Sequence, residues 1–391
     1  MKKKFEEKGI SIVCPICLVS KNSSEFDLEH IIPNALGGRF KIKPLLCKSC
    51  NSTFGHEIEG ELAKQFAFFM NRFNIPRERG DLPELELKDP DTGEKILLDH
   101  LGRPRYADPP KINIEPQPNG RVHIQIKARN EKDVKQILRG LRRKYPAIPE
   151  NMNFPTQEKY FDVPLQVQFS IGGIKCFRAI AKMAFGYLTY KKGIDFARSS
   201  VFDPIRSFVH KGIEQEIVYF YSLDSSLIQF SGKELNHIII LSLSSSHKNI
   251  IAYVELFSVC CFLILLTDKY EGQEECFSYS YNPITREESD TANVLWKGLP
   301  TEKAREIILN KNKRPVENIA EHIRQLLPFA LKRQTNAIFQ YAAKSGANVL
   351  NKYPPGTPIT KEIIHEITEE TMKHITPLII YNARKHRQNR K

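Results

Sequence analysis

The chain has 391 residues, 41% of them hydrophobic and 26% charged, a globular composition with room for two or three domains with real cores. Its longest apolar run, Leu256–Leu266, is too short to cross a membrane as a helix, and its start carries no apolar signal stretch. A net charge of +13 favours polyanion partners, and eight cysteines in a chain expected to be cytoplasmic argue against a disulfide framework.

In chain order, residues 1–75 read as a first module: four paired cysteines, then "GHEIEGELAKQFAFFMNRF", whose apolar positions recur at helical spacing. Prolines are dense from Ile75 to Pro118, which predicts turns and a linker at 76–120 with one hairpin. "RVHIQIKA" (121–128) alternates like a strand, and 130–145 reads as a helix capped by Asn130. A second alternating strand is expected at 163–171. Helices follow at 175–193 and at 202–212, the latter with Asp203 as N-cap, Pro204 in the first turn and Gly212 as C-cap.

Residues 237–266 read as three short strands in an antiparallel meander around the polar turn "SSSHKN". From Thr301 onward helices are expected, broken at "KYPPGTP" (352–358). The fold class is therefore α+β: a small N-terminal module, the linker, and a larger α+β region at 121–391 that could divide near 300.

Basic residues gather at Lys2–Lys4, at Arg139–Lys144 and in the tail 383–391. Each cluster is either a phosphate-binding patch or a solvated helix face or frayed end, and the overall sign is the better guide. Four cysteines, Cys176, Cys260, Cys261 and Cys276, sit in apolar or mixed surroundings and read as buried small hydrophobes.

The other four carry more. Cys14, Cys17, Cys47 and Cys50 give two C-x-x-C pairs within 37 residues, a spacing that suits tetrahedral Zn²⁺. Four thiolates leave the ion no open position, so the metal would be structural and would hold a segment too small for its own core.

Between and after these pairs the chain reads "CPIC…LEHIIPNALGG…IKPLLCKSCNSTFG". Over about residues 12–65 it resembles the HNH endonuclease family in its zinc-bracketed, treble-clef-like ββα-metal form. That form reads as C-x-x-C, an acid and a histidine with "hIhP" character, a glycine pair, and C-x-x-C followed by Asn or His. The resemblance implies a nuclease module whose short hairpin carries Glu29 and His30 against a helix starting near the last cysteine pair.

The residue types suit the chemistry. His30 titrates near neutral pH and can take a proton from water. Glu29 offers a hard oxygen to Mg²⁺ or Mn²⁺, and the Asn51 amide a second. Adjacent strand residues point to opposite faces, so Glu29 and His30 can serve one phosphate only where the chain twists or turns. The chain also departs from the family pattern. Glu29 stands where Asp is common, Pro44 stands where a middle Asn is expected, and His56 rivals Asn51 as a metal ligand. The remaining histidines are scattered and read as structural or surface groups.

The expectation is an HNH endonuclease that hydrolyses DNA, most readily double-stranded DNA. Residues 121–391 would give specificity or control, through a homodimer or an activating partner, in a restriction or anti-phage setting. The rival is a zinc-knuckle protein that binds nucleic acid without cutting it. RNA as substrate is a third reading.

Overall fold

The structure is a computed structural model that describes residues 11–90, 93–118, 121–128, 131–149, 167, 170–221, 235–289, 296–310 and 314–388. Lys2–Lys4, the Asn130 cap and most of the strand expected at 163–171 lie outside the described residues. Packing gathers 1–82 with 170–391 into one compact unit and leaves 83–169 as a second.

The chain begins with a hairpin of β1 (Ser11–Val13) and β2 (Ser20–Asn22). A second, two-residue pair follows, β3 (Glu29–His30) antiparallel to β4 (Lys41–Ile42), with Glu29 opposite Ile42 and His30 opposite Lys41. Helix α1 (Lys48–Phe54) starts directly after Cys47 and passes through a π-helical turn, Gly55–Glu59, into α2 (Gly60–Gln65) and α3 (Ala67–Arg72).

The second unit holds an antiparallel three-stranded sheet, β5 (Leu85–Lys88), β6 (Lys95–Leu98) and β7 (Pro104–Tyr106). It also holds the hairpin β8 (Lys111–Pro116) and β9 (Val122–Lys127), and helix α4 (Glu131–Arg142). The proline-dense stretch thus carries four strands. Its prolines fall where strands tolerate them, Pro104 opening β7 and Pro116 closing β8, so no interior ladder donor is missing.

Back in the first unit, α5 (Gly173–Lys192) is Ala-rich and largely buried, and α6 (Ile194–Ala197) follows it. Helix α7 (Asp203–Lys211) ends at Gly212 in the left-handed region, φ 67°, as its sequence predicts. Its N-cap is Phe202 rather than Asp203. A 3₁₀ turn, Ser200–Phe202, runs straight into the helix, and the Asp203 carboxylate turns instead to Arg206.

A six-stranded antiparallel sheet forms the core: β10 (Val218–Phe220), β11 (His237–Ser244), β12 (Asn249–Leu256), β13 (Cys260–Thr267), β14 (Glu275–Tyr281) and β15 (Glu288–Ser289). Their spatial order is β10-β13-β12-β11-β14-β15. Strands β11 to β13 are the predicted meander. They read as unbroken apolar runs because both faces are covered. Trp296 and helix α8 (Thr301–Asn310) pack on the face bearing Ile238, Ile240, Tyr253 and Leu263. Phe177 of α5 meets Phe220 and Phe262 on the other.

Helices α9 (Arg314–Val349) and α10 (Lys361–Gln388) pack on each other across the predicted break. Cys176 and Cys260 are buried as expected and Cys261 is half-buried. Cys276 is exposed, because only the last three residues of β14 enter the core. Among the described residues no helix is long and apolar enough to cross a membrane.

Candidate active site

The Sγ atoms of Cys14, Cys17, Cys47 and Cys50 all lie within 4.8 Å of one another, and Cys17 and Cys47 are 3.8 Å apart. Tetrahedral Zn²⁺ with bonds of about 2.3 Å separates its sulfurs by about 3.8 Å, so the cluster is compatible with structural zinc. Four thiolates this close are tolerated only around a cation. The ion would tie the loop after β1 to the first turn of α1, since Cys47 is the N-cap of that helix and Cys50 lies within it.

The turn between β3 and β4 is built by the glycine pair. Gly37 sits at φ +84°, and a Cβ there would meet Ile75 Cγ2 at 2.7 Å. At Gly38 an added Cβ would stand 2.0 Å from the carbonyl oxygen of Ile32, so only glycine fits. This turn is fastened to the sheet by His237. Its Nε2–H donates to the Leu36 carbonyl at 2.9 Å, and the Phe257 N–H donates to its Nδ1 at 3.4 Å.

His237 is fully buried, and burial pushes its pKa down from 6.5 to about 4. In the unfolded chain the ring binds a proton at higher pH, so between pH 6.5 and 4 unfolding takes up protons and stability falls with pH. The stability gap between wild type and His237→Gln should therefore narrow by up to about 3 kcal/mol as pH drops from 7 to 4. Urea midpoints of both proteins across that range check this. A gap independent of pH would show that His237 is not neutral in the fold.

Beside the zinc cluster opens a cleft of about 460 Å³ whose lining includes Glu29, His30, Lys41, Asn51, Glu59 and Glu78. Glu29 and His30 share its wall but aim apart, as adjacent strand residues must. Glu29 turns inward. It is 5% exposed, and burial raises its pKa while Lys182 and a hydrogen bond from the Asn51 amide pull it back.

The Lys182 ammonium donates to both Glu29 Oε1 and Glu59 Oε1. Burial opposes its charge, yet Glu59 and Glu29 together hold the ammonium above its ordinary pKa. Lys182 comes from α5, and its Nζ also lies 6.0 Å from the centre of the Phe54 ring.

His30 turns outward, with Nε2 3.2 Å from Glu78 Oε2. Burial lowers its pKa, and the Glu78 hydrogen bond works the other way without cancelling it, so the balance favours the neutral ring. Glu78 is itself fixed. Its backbone N–H donates to Asn34 Oδ1 at 2.8 Å, and Lys41 reaches Oε2 at 2.5 Å while Arg39 reaches Oε1 at 3.3 Å. The Lys41 hydrogen bond holds the Glu78 carboxyl down to about 2.

Residues 14–67 match the family model of HNH endonucleases. The match spans the four cysteines and Glu29, His30, Asn51 and Glu59, and the C-terminal region matches no family. No curated protein and no solved structure matches the chain. A match to HNH endonucleases implies a nucleic-acid substrate and a divalent metal for the matched segment, and its neighbourhood must be read from this chain alone.

Of the residues singled out in the sequence, Glu29, His30 and Asn51 come together at this cleft. His56 is exposed on the π turn and does not line it. Pro44 is on the approach to the second cysteine pair and is not among the lining residues.

Three polar residues were not signalled. Glu59 follows Asn51 by eight positions, which a straight α-helix would rotate by about 80°. The π turn takes up one extra residue, so Glu59 occupies an i+7 place on the Asn51 face. Glu78 and Lys182 lie beyond the HNH match and only the fold brings them in.

Proposed function

We propose that the chain is a metal-dependent endonuclease that hydrolyses DNA phosphodiester bonds at the cleft bordered by Glu29, His30 and Asn51. The observation that carries this is their convergence beside a zinc-compatible Cys₄ cluster, inside the segment matched to HNH endonucleases. His30 is the general base. Donation from its Nε2–H to Glu78 would leave Nδ1 with a free lone pair for the proton of the attacking water. A lowered pKa keeps that lone pair available at neutral pH.

Glu29 and Asn51 are the oxygen donors, and Asn51 is preferred to His56 because it lines the cleft and hydrogen-bonds Glu29. A divalent cation, Mg²⁺ or Mn²⁺, would supply charge for the scissile phosphate and the leaving oxygen. Lys41, Arg77 and Arg79 border the same cleft and suit a phosphate backbone.

One site cuts one strand, so a double-strand break needs a second site from a dimer or a second visit. The region after the module supplies specificity or control in this reading, with restriction or anti-phage defence as settings suggested by association alone.

Supercoiled plasmid and single-stranded RNA incubated with pure protein and Mg²⁺ or Mn²⁺ provide the test. Nicked circles that EDTA abolishes are the expected result. Cleavage of the RNA alone would move the substrate from DNA. Binding to plasmid without nicking at saturating Mn²⁺, with zinc retained, would favour the non-catalytic knuckle.

A further inference from the structure

The cleft carries a feature that a free-standing module of residues 14–67 would lack. Two carboxylates, Glu29 and Glu59, present their Oε1 atoms to one ammonium, and the Asn51 amide also bonds Glu29. These are the hard oxygen ligands that a divalent cation takes. The cation among them is Lys182, which belongs to α5 and lies outside the HNH match.

We propose that Lys182 is an internal counter-ion of the Glu29–Glu59 pair that a divalent metal must displace, so that the position of α5 sets the metal affinity of the cleft. This rests on the reading that Glu29 is a metal ligand, and it adds Glu59 as a second carboxylate ligand.

Three observations separate this from an ordinary buried ion pair. Glu29 and Glu59 both border the open cleft, whereas Lys182 does not line it and enters from the interior side. The group keeps a net charge of −1, two carboxylates against one ammonium, so it still attracts a cation from the open side.

The ammonium also has no place to withdraw into. Lys182 is 5% exposed, and the space beside its stem, walled by Ile31, Leu45 and Phe185, is about 10 Å³, no more than one water fills. Helix α5 is fastened at its start and again in its second half. Gln65 exchanges two hydrogen bonds with the Gly172 backbone at 2.9 and 3.0 Å, and the Tyr187 hydroxyl donates to the Ser278 carbonyl at 2.6 Å. Displacing the ammonium therefore requires a shift of α5. Contacts that move this helix would raise metal affinity without touching the cleft.

The test measures Mn²⁺ binding by electron paramagnetic resonance on the full-length, zinc-loaded protein. Lys182→Met keeps the stem and removes the charge, and it is expected to tighten Mn²⁺ about tenfold or more. Adding Glu59→Gln to that variant should cancel the gain, and Lys182→Arg should bind as wild type does. Unchanged or weaker Mn²⁺ binding by Lys182→Met, with zinc content and melting curve intact, overturns the proposal alone.

Glu29→Gln in the wild-type background separates the two readings. If Mn²⁺ affinity ignores it, Glu29 is no ligand and both fall. A measurement on the unaltered chain guards against a variant that fails to fold. The ¹⁵N–¹H signal of the Lys182 ammonium should shift or vanish along the Mg²⁺ binding curve. A signal unmoved at saturating Mg²⁺ overturns the proposal.

Discussion

Replacing His30 by alanine is expected to lower plasmid nicking by roughly 10²–10⁴-fold, the span of a lost general base. The loss should fall on turnover. His30 is half-buried at the cleft edge, outside the zinc cluster and outside the sheet contacts that hold the turn, so zinc content, melting and DNA affinity should stay near wild type. Glu78→Gln should cost less, because the ring would keep a neutral acceptor and lose only the charge that fixes its tautomer.

The pH profile carries a sign. Burial lowers the His30 pKa, which favours the base-competent ring at neutral pH, and activity should fall as pH drops through that lowered value. Gel quantification of nicked circles at several pH values checks both. A His30→Ala protein that nicks within a few-fold of wild type would remove His30 from the mechanism.

How far the sequence reached depends on the distance between partners. The cysteine pairs, Glu29, His30 and Asn51 fall within 38 consecutive residues, and their chemistry is written in local spacing. The meander was legible because strands covered on both faces are uninterrupted apolar runs bounded by turn residues. Glu59 was hidden by geometry. Only a π turn rotates it onto the Asn51 face, and the glycines at 55 and 60 were its faint signal.

Glu78 lay in a stretch whose prolines read as a linker, and those of β7 and β8 turn out to sit at strand ends, one opening and one closing. Lys182 is 153 positions from Glu29, on a largely buried helix where nothing local marks its charge as paired. His237 is 201 positions from Leu36 and was read as one scattered histidine among others. Pairings across such distances follow from tertiary packing, and a single sequence holds no periodicity that encodes them.

Zinc removal is expected to have the largest effect on the fold of the site. A structural zinc contributes on the order of 10–16 kcal/mol to a small domain, more than most domains have in net stability. Here it joins the loop of Cys14 and Cys17 to the first turn of α1, and Asn51 follows Cys50 directly. The π turn that aims Glu59 continues the same helix. Without the ion the four thiols lose their common partner, and α1 loses the tie that points Asn51 and Glu59 into the cleft.

Pure protein should hold one zinc per chain. Cys47→Ser, or chelation under mild denaturant, should abolish nicking and open residues 11–75 to protease, while the core sheet at 237–281 stays protected because its contacts with α5 and α8 do not involve the cysteines. Cys17 is the half-buried member of the set, and Cys17→Ser should be the mildest of the four substitutions. Elemental analysis beside limited proteolysis reads both outcomes. Protein that purifies without zinc and still nicks plasmid would mean that the four sulfurs are held by packing, and that the aim of Asn51 and Glu59 comes from Lys182 and α5 instead.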